Sequence, residues 1–255
     1  MIRFFAAPSE VSGGAIRLSA EDAAHIRSLR LRPADFFVVC DGVGNDYVCR
    51  LGARSGKADE SDGGAGAPGG NPVAEIVEKR PSRGETNVAC DVYIAFAKGD
   101  RLDYAVQKSV ELGARGVTLF PSARCVSAPE NMHKKTARFQ RIALETAKQC
   151  GRGRIPQITA ADSFAEAVRQ ASRADLPLFF YECEAEFHLK HALEQYCPVS
   201  TISVVTGPEG GFEPDEAVFA QSTGMVPVTL GPRILRCETA PVAALAAVMY
   251  HTDNL

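Results

Sequence analysis

A chain of 255 residues, 45% hydrophobic and 23% charged with a formal net charge of −3, can bury a large core, and its composition is that of an ordinary soluble globular protein. No apolar run reaches the length of a membrane span, and the N-terminal Met1-Ile2-Arg3-Phe4-Phe5 lacks a signal-peptide layout, so a cytoplasmic protein with no membrane partner is expected. The eight cysteines are scattered without a Cys-x-x-Cys pair; they make a poor zinc or disulfide framework and read as small core residues in a reducing compartment, and no metal site is expected.

The first eighty residues carry short strand-like runs at 2–6, 36–40, 46–51 and 73–79, with Asp41-Gly42-Val43-Gly44-Asn45 as a hairpin loop. One helix fits at 20–29, with Ser19 as N-cap and Asp22 three residues on. The pattern predicts a small β-barrel with one helix over 1–80. Residues 54–71, including GKADESDGGAGAPGGN, hold no aromatic or bulky aliphatic side chain and read as a flexible insertion between two strands. Residues 81–87, PSRGETN, read as a linker.

From residue 88 to 255 strands and helices alternate. Strands are predicted at 88–97, 116–121, 155–158, 176–181, 201–206 and 226–230. Helices are predicted at 101–114, 134–150, 164–171, 186–196, 214–222 and 239–251. Such alternation implies an α/β domain with a mainly parallel sheet, whose ligands sit beyond the carboxyl ends of the strands.

Two loops stand at such ends. The first is VTGPEGGFEPDE, 205–216, where a strand hands over to a helix through three glycines and a proline. Asp215 and Glu216 in the first turn argue against a phosphate there. Neither a P-loop nor a Gly-x-Gly-x-x-Gly dinucleotide fingerprint is present, which disfavours an NTPase and a nicotinamide oxidoreductase. The second is VTLGPRILRCETAPVAALAAV, 228–248, where Gly231-Pro232 closes the next strand. Both turns belong to consecutive strands and could rim one pocket. Backbone groups there can read a flat adenine, with Leu230, Ile234 and Leu235 packing against it.

GPEGGF followed by LGPRILRCETA resembles the RsmE family, small-subunit ribosomal RNA methyltransferases of the SPOUT superfamily that modify N3 of a uridine. Supporting segments are RFF near the start, AHIRSLRLRPAD at 24–35, KGDRLDYAVQKSVELGA at 98–114 and KQCGRGRIP at 148–156. Ala123-Arg124-Cys125 departs from the Glu-Arg of many relatives. The resemblance implies an N-terminal PUA-like RNA-binding barrel and a C-terminal domain with a trefoil knot. It also implies S-adenosyl-L-methionine as cofactor, a homodimer, and 16S rRNA or the assembled small subunit as partner. The cofactor-binding residues it implies are Thr206, Gly207, Glu209, Gly210 and Gly211 of the first loop, and Leu230, Gly231, Ile234, Leu235 and Arg236 of the second.

Uridine N3 is a weak acid that must lose its proton to attack a methyl group; a carboxylate or a backbone carbonyl could take it, and an arginine could stabilise the charge developing on the uracil oxygens. Glu209, Glu238 and Arg236 are the catalytic candidates. Glu238 has a competing role as an acid at a helix start, favourable to the dipole. Arg236 lies between the apolar wall and that helix start, and it is the preferred functional side chain. Between 134 and 154 there are seven Lys/Arg against one acid, Glu145. Arg152 and Arg154 there, Arg3, Arg27 and Arg30 in the barrel, and Arg124 are the RNA-binding candidates. His25 reads as structural, and His188 with His191 as residues of a surface helix. Helix 239–251 is apolar all round and is placed at or beside the dimer contact, with core burial as the competitor. The rival functions are a non-catalytic RNA-binding module, a nucleotide-cofactor oxidoreductase, and a methyltransferase acting on tRNA or another base.

Overall fold

Two six-stranded sheets organise the chain, each inside its own compact unit: Met1–Glu85 with Lys148–Ile155, and Thr86–Ala147 with Pro156–Leu255. The computed structural model describes residues 2–52, 73–126 and 132–255, without the side chains of 132–134. The predicted insertion at 54–71 lies outside the described residues.

The first unit holds β1 (Arg3–Phe5), β2 (Val11–Ser12), β3 (Ala15–Arg17), β4 (Phe36–Cys40), β5 (Asn45–Leu51) and β6 (Val73–Pro81), in the order β1-β4-β5-β6-β3-β2. Among the described strands of this unit, β1 and β4 pair in parallel and the other pairs are antiparallel. Helix α1 (Ala20–Ser28) starts where Ser19 Oγ accepts the Asp22 N–H at 3.0 Å, a cap worth about 1 kcal/mol. The predicted capping box differs in detail, because Asp22 Oδ2 takes the Ser19 hydroxyl rather than a backbone N–H. Alternation along the strands buries Phe4, Ile16, Phe37, Val39, Tyr47 and Cys49 in one core with Ile26 of α1. The β4–β5 hairpin turns through Gly42 and Gly44, both at positive φ, with Asp41 Oδ1 accepting the N–H groups of Val43 and Asn45.

Two expectations change here. Pro81 ends β6 instead of opening a linker, and Ser82 and Glu85 bond into the first unit. Segment 148–155 belongs to this unit as well. Glu85 Oε2 accepts from Arg152 Nη2 at 2.8 Å, and Glu85 Oε1 accepts the N–H groups of Gly153 and Arg154 at 2.9 Å.

The second unit contains β7 (Ala89–Ala95), α2 (Arg101–Glu111), β8 (Gly116–Phe120), α3 (Met132–Cys150, whose last turn lies in the first unit) and β9 (Gln157–Ala160). It continues with α4 (Phe164–Ala171), β10 (Leu176–Phe180), α5 (Leu189–Tyr196), β11 (Thr201–Thr206), α6 (Pro214–Ser222), β12 (Val226–Val228) and α7 (Thr239–His251). All its strand pairs are parallel, in the order β12-β10-β11-β7-β8-β9. Tyr93, Ala95, Phe120, Phe179 and Val205 form one core with α4 and α6. Their strand neighbours Val92, Ile94 and Val204 are equally buried, so both faces of the sheet are covered, as a parallel sheet requires. Helix α7 packs on α2, β7 and β11.

Candidate active site

The carboxyl ends of β10, β11 and β12 open into one cavity of ≈ 960 Å³. The two glycine loops form its walls. The strands they leave are not neighbours: β10 lies between β11 and β12, and its end at Phe180–Glu182, followed by Glu184 and Ala185, completes the lining. His188 also lines it, at the N-cap of α5. These residues escaped the sequence reading because strand order is not written in strand spacing. The signal that could have found them is the strand 176–181 itself, once placed between the other two.

The first loop is held from three sides. Arg124 donates to the Gly210 carbonyl at 3.1 Å and to both carboxylate oxygens of Glu213 at 2.8 and 3.0 Å. Glu182 Oε1 accepts the Phe212 N–H at 3.1 Å. Glu209 Oε1 accepts the Lys98 N–H at 2.9 Å and Arg101 Nη1 at 2.5 Å. Close packing sets the glycines. Gly211 sits at φ +70, and a Cβ there would fall 1.7 Å from Glu182 Oε1; one on Gly207 would meet the Phe212 ring at 3.1 Å. Helix α6 follows with Pro214 at its first position and the Glu213 N–H on Glu216 Oε2 at 2.9 Å.

The second loop is tied to α5 by Leu189 N–H on the Thr229 carbonyl and Thr229 N–H on the Phe187 carbonyl, both at 3.0 Å. Gly231, at φ +112, has open space where a Cβ would stand. The Arg236 carbonyl accepts the N–H groups of Thr239 and Ala240 and so starts α7, while its side chain is exposed at the cavity. Ile234 is 87% exposed.

Burial raises the Glu209 carboxyl, but bonds from Lys98 N–H, its own backbone and Arg101 outweigh that and hold it below its ordinary value. Among the described residues its Oε2 is buried without a hydrogen-bond partner. Glu238 is likewise raised by burial and lowered more by its own N–H, Cys237, Arg101 and Arg236, so it too is ionised at neutral pH. The cavity therefore combines apolar walls, backbone polar groups and an ionised carboxylate.

Residues 84–249 match the family described as RNA methyltransferase domain, and residues 18–58 match the RNA methyltransferase PUA domain. Ribosomal RNA small subunit methyltransferase E of Mycobacterium bovis is 30% identical over 244 residues, covering 93% of this chain and 87% of that protein. The chain belongs to the ribosomal RNA small subunit methyltransferase E family. The Bacillus subtilis member is 29% identical over 245 residues, covering 93% of this chain and 91% of its own. A crystal structure of the Neisseria gonorrhoeae member, bound to S-adenosyl methionine, superimposes with a TM-score of 0.80 at 29% identity, covering 98% of this chain and 97% of that one.

In this family member all ten residues expected around a cofactor line the one cavity. Glu238 does not; it faces an adjoining hollow with Arg101. The RNA candidates scatter. Arg27, Arg30 and Arg154 are exposed. Arg3 is instead committed to Asp46, with Nη1–Oδ1 at 2.7 Å and Nη2–Oδ2 at 3.0 Å. Arg152 is 4% exposed in its pair with Glu85, a correction to its placement on an open loop. Arg124 spends its guanidinium on the first glycine loop. Among the described residues no helix is long and apolar enough to cross a membrane.

Proposed function

We propose that this chain transfers a methyl group from S-adenosyl-L-methionine to N3 of a uridine in small-subunit rRNA, in the cytoplasm. The observation that carries this reading is the single cavity enclosed by the two glycine loops and the end of β10. Its ≈ 960 Å³ is of the size that takes a nucleoside-sized ligand. Gly231 leaves the second loop's backbone open to a flat ring, Leu230 and Leu235 supply apolar contact, and the ionised carboxylate of Glu209 suits a cationic group. These features fit S-adenosylmethionine. When bound, it supplies an electrophilic methyl on a sulfonium that departs as a neutral thioether.

The chain's own work is positioning, proton removal and charge stabilisation. Glu209, bonded to Arg101 and to Lys98 N–H, holds the first loop and shapes the cavity. Glu238 remains as the carboxylate facing the acceptor side, and it accepts the N3 proton. Arg236, exposed at the cavity beside Glu238, stabilises the negative charge that develops on the uracil oxygens. Exposed Arg27, Arg30 and Arg154 offer phosphate contacts on the first unit.

A homodimer is part of the same reading. On α7, Val242, Ala243, Ala246 and Ala247 are half-buried and Tyr250 is 76% exposed, an apolar stripe suited to a second copy. So is a knot where the chain runs through the two loops before α7 returns onto β7 and β11. The test is mass mapping of modified nucleosides in small-subunit rRNA from cells with and without the gene. Loss of N3-methyluridine on deletion supports the reading, and an unchanged amount contradicts it.

A further inference from the structure

Beside the cofactor cavity lies a second, shallower hollow of ≈ 550 Å³ bounded by Lys98, Asp100, Arg101, Tyr104, Glu238 and Thr239. The two share a wall. Glu209 and Cys237 line the cavity, and each bonds to a residue of the hollow: Glu209 to Arg101 at 2.5 Å, and Cys237 Sγ to Glu238 Oε2 at 3.2 Å. A methyl acceptor has to reach within about 3–3.5 Å of the donor carbon, so it must enter from a surface that adjoins the cavity.

The hollow carries what a splayed-out pyrimidine needs. Tyr104, 48% exposed in the first turn of α2, lines the hollow; Lys108 Nζ lies over its ring at 5.8 Å from the centroid, and the exposed part of the ring is the surface available for stacking. Arg101 Nε and Glu238 Oε2, 3.7 Å apart, set a cationic donor beside an anionic acceptor. Uracil presents an acceptor oxygen next to the N3–H donor, which complements that pair. Cytosine presents a bare N3 to the carboxylate and is repelled. Lys98, exposed at the rim, is available to a phosphate.

We propose that this hollow is the acceptor-nucleotide subsite, in which Tyr104 stacks on the target uracil while Arg101 and Glu238 read its N3 edge. The inference rests on the uridine methyltransferase reading and adds the residues that select the base.

The test is a binding cycle with a small-subunit rRNA fragment and the same fragment carrying an abasic nucleotide at the target, measured for wild type, Tyr104→Ala and Tyr104→Phe. S-adenosylmethionine affinity is followed in parallel by calorimetry. Tyr104→Ala is expected to weaken binding of the intact fragment roughly 5- to 150-fold. It should leave the abasic fragment and the cofactor unaffected, and Tyr104→Phe should match wild type. Equal binding of the intact fragment by Tyr104→Ala, or an equal loss on both fragments, overturns the subsite alone. A parallel loss of cofactor affinity puts Tyr104 in the other cavity and also overturns it. Wild-type protein that binds S-adenosylmethionine but neither binds nor methylates the fragment overturns the function on which the subsite rests.

Discussion

Arg101 Nη1 meets Glu209 Oε1 at 2.5 Å, so the first turn of α2 latches the loop that leaves β11. The same guanidinium lies 3.7 Å from Glu238, at the start of α7. One side chain thus spans the two loops that enclose the cavity. Arg101→Ala leaves the Glu209 carboxylate with the Lys98 N–H and its own backbone N–H but no cation, and S-adenosylmethionine affinity should fall roughly tenfold, read by calorimetry. Arg101→Lys should restore it only in part, because a lysine ammonium cannot reproduce the planar fork. Undiminished affinity in Arg101→Ala would contradict the latch.

Gly211 is the position where the loop has no room for a side chain. It combines φ +70 with a Cβ site 1.7 Å from Glu182 Oε1. In Gly211→Ala the backbone strain costs about 1–2 kcal/mol, and Glu182 must also release the Phe212 N–H. Cofactor binding should be lost with only a small change in the urea midpoint, since the loop lies outside the sheet core. Gly231→Ala, with open space at its Cβ position, should lose the backbone term alone.

Arg152 and Arg154 are two residues apart and should behave oppositely. Arg152→Ala leaves Glu85 without its buried partner and should destabilise the chain by about 3 kcal/mol in urea titration. Arg154→Ala should hardly move the urea midpoint, and should lower the salt dependence of RNA binding by roughly one phosphate contact. The reverse pattern would return Arg152 to the RNA surface.

Asp46 gives the first unit an acid limit. Burial raises its carboxyl, but bonds from Arg3 and Ser82 and the nearby Arg3 charge hold it below its ordinary 3.8. A carboxyl lowered on folding stabilises the fold fully above its unfolded value. That stabilisation fades as pH falls through the lower folded value. Wild-type stability should therefore drop relative to Asp46→Asn below about pH 3.8, where the unfolded chain takes up the proton first. Parallel urea midpoints for the two proteins at pH 7 and pH 3 would contradict this.

Much of the second unit was legible from periodicity. Strand 201–206 and helices 164–171, 214–222 and 239–251 lie at the expected residues; Ser163 and Glu213-Pro214 act locally at two of these helix starts, whereas Glu238 makes no side-chain cap. Strands β2 and β3 were missed, being two and three residues long around Gly13-Gly14. The residues of the two loops that line the cavity were legible because two glycine-proline turns mark strand ends. The β10 end and His188 were not, because which strand lies between which is settled by packing across the sheet. Arg3 and Arg152 read as surface charges, since nothing local announces Asp46 or Glu85, which lie 43 and 67 residues away in sequence.

Transfer of labelled methyl from S-adenosylmethionine to unmodified small-subunit rRNA, with the product nucleoside identified by mass spectrometry, tests the central claim most directly. Wild type should place label on N3 of a uridine at one position, and the folded Arg236→Ala protein should be slower by roughly 10²–10³-fold. No label on the RNA, label on another base, or wild-type turnover by Arg236→Ala would contradict the account.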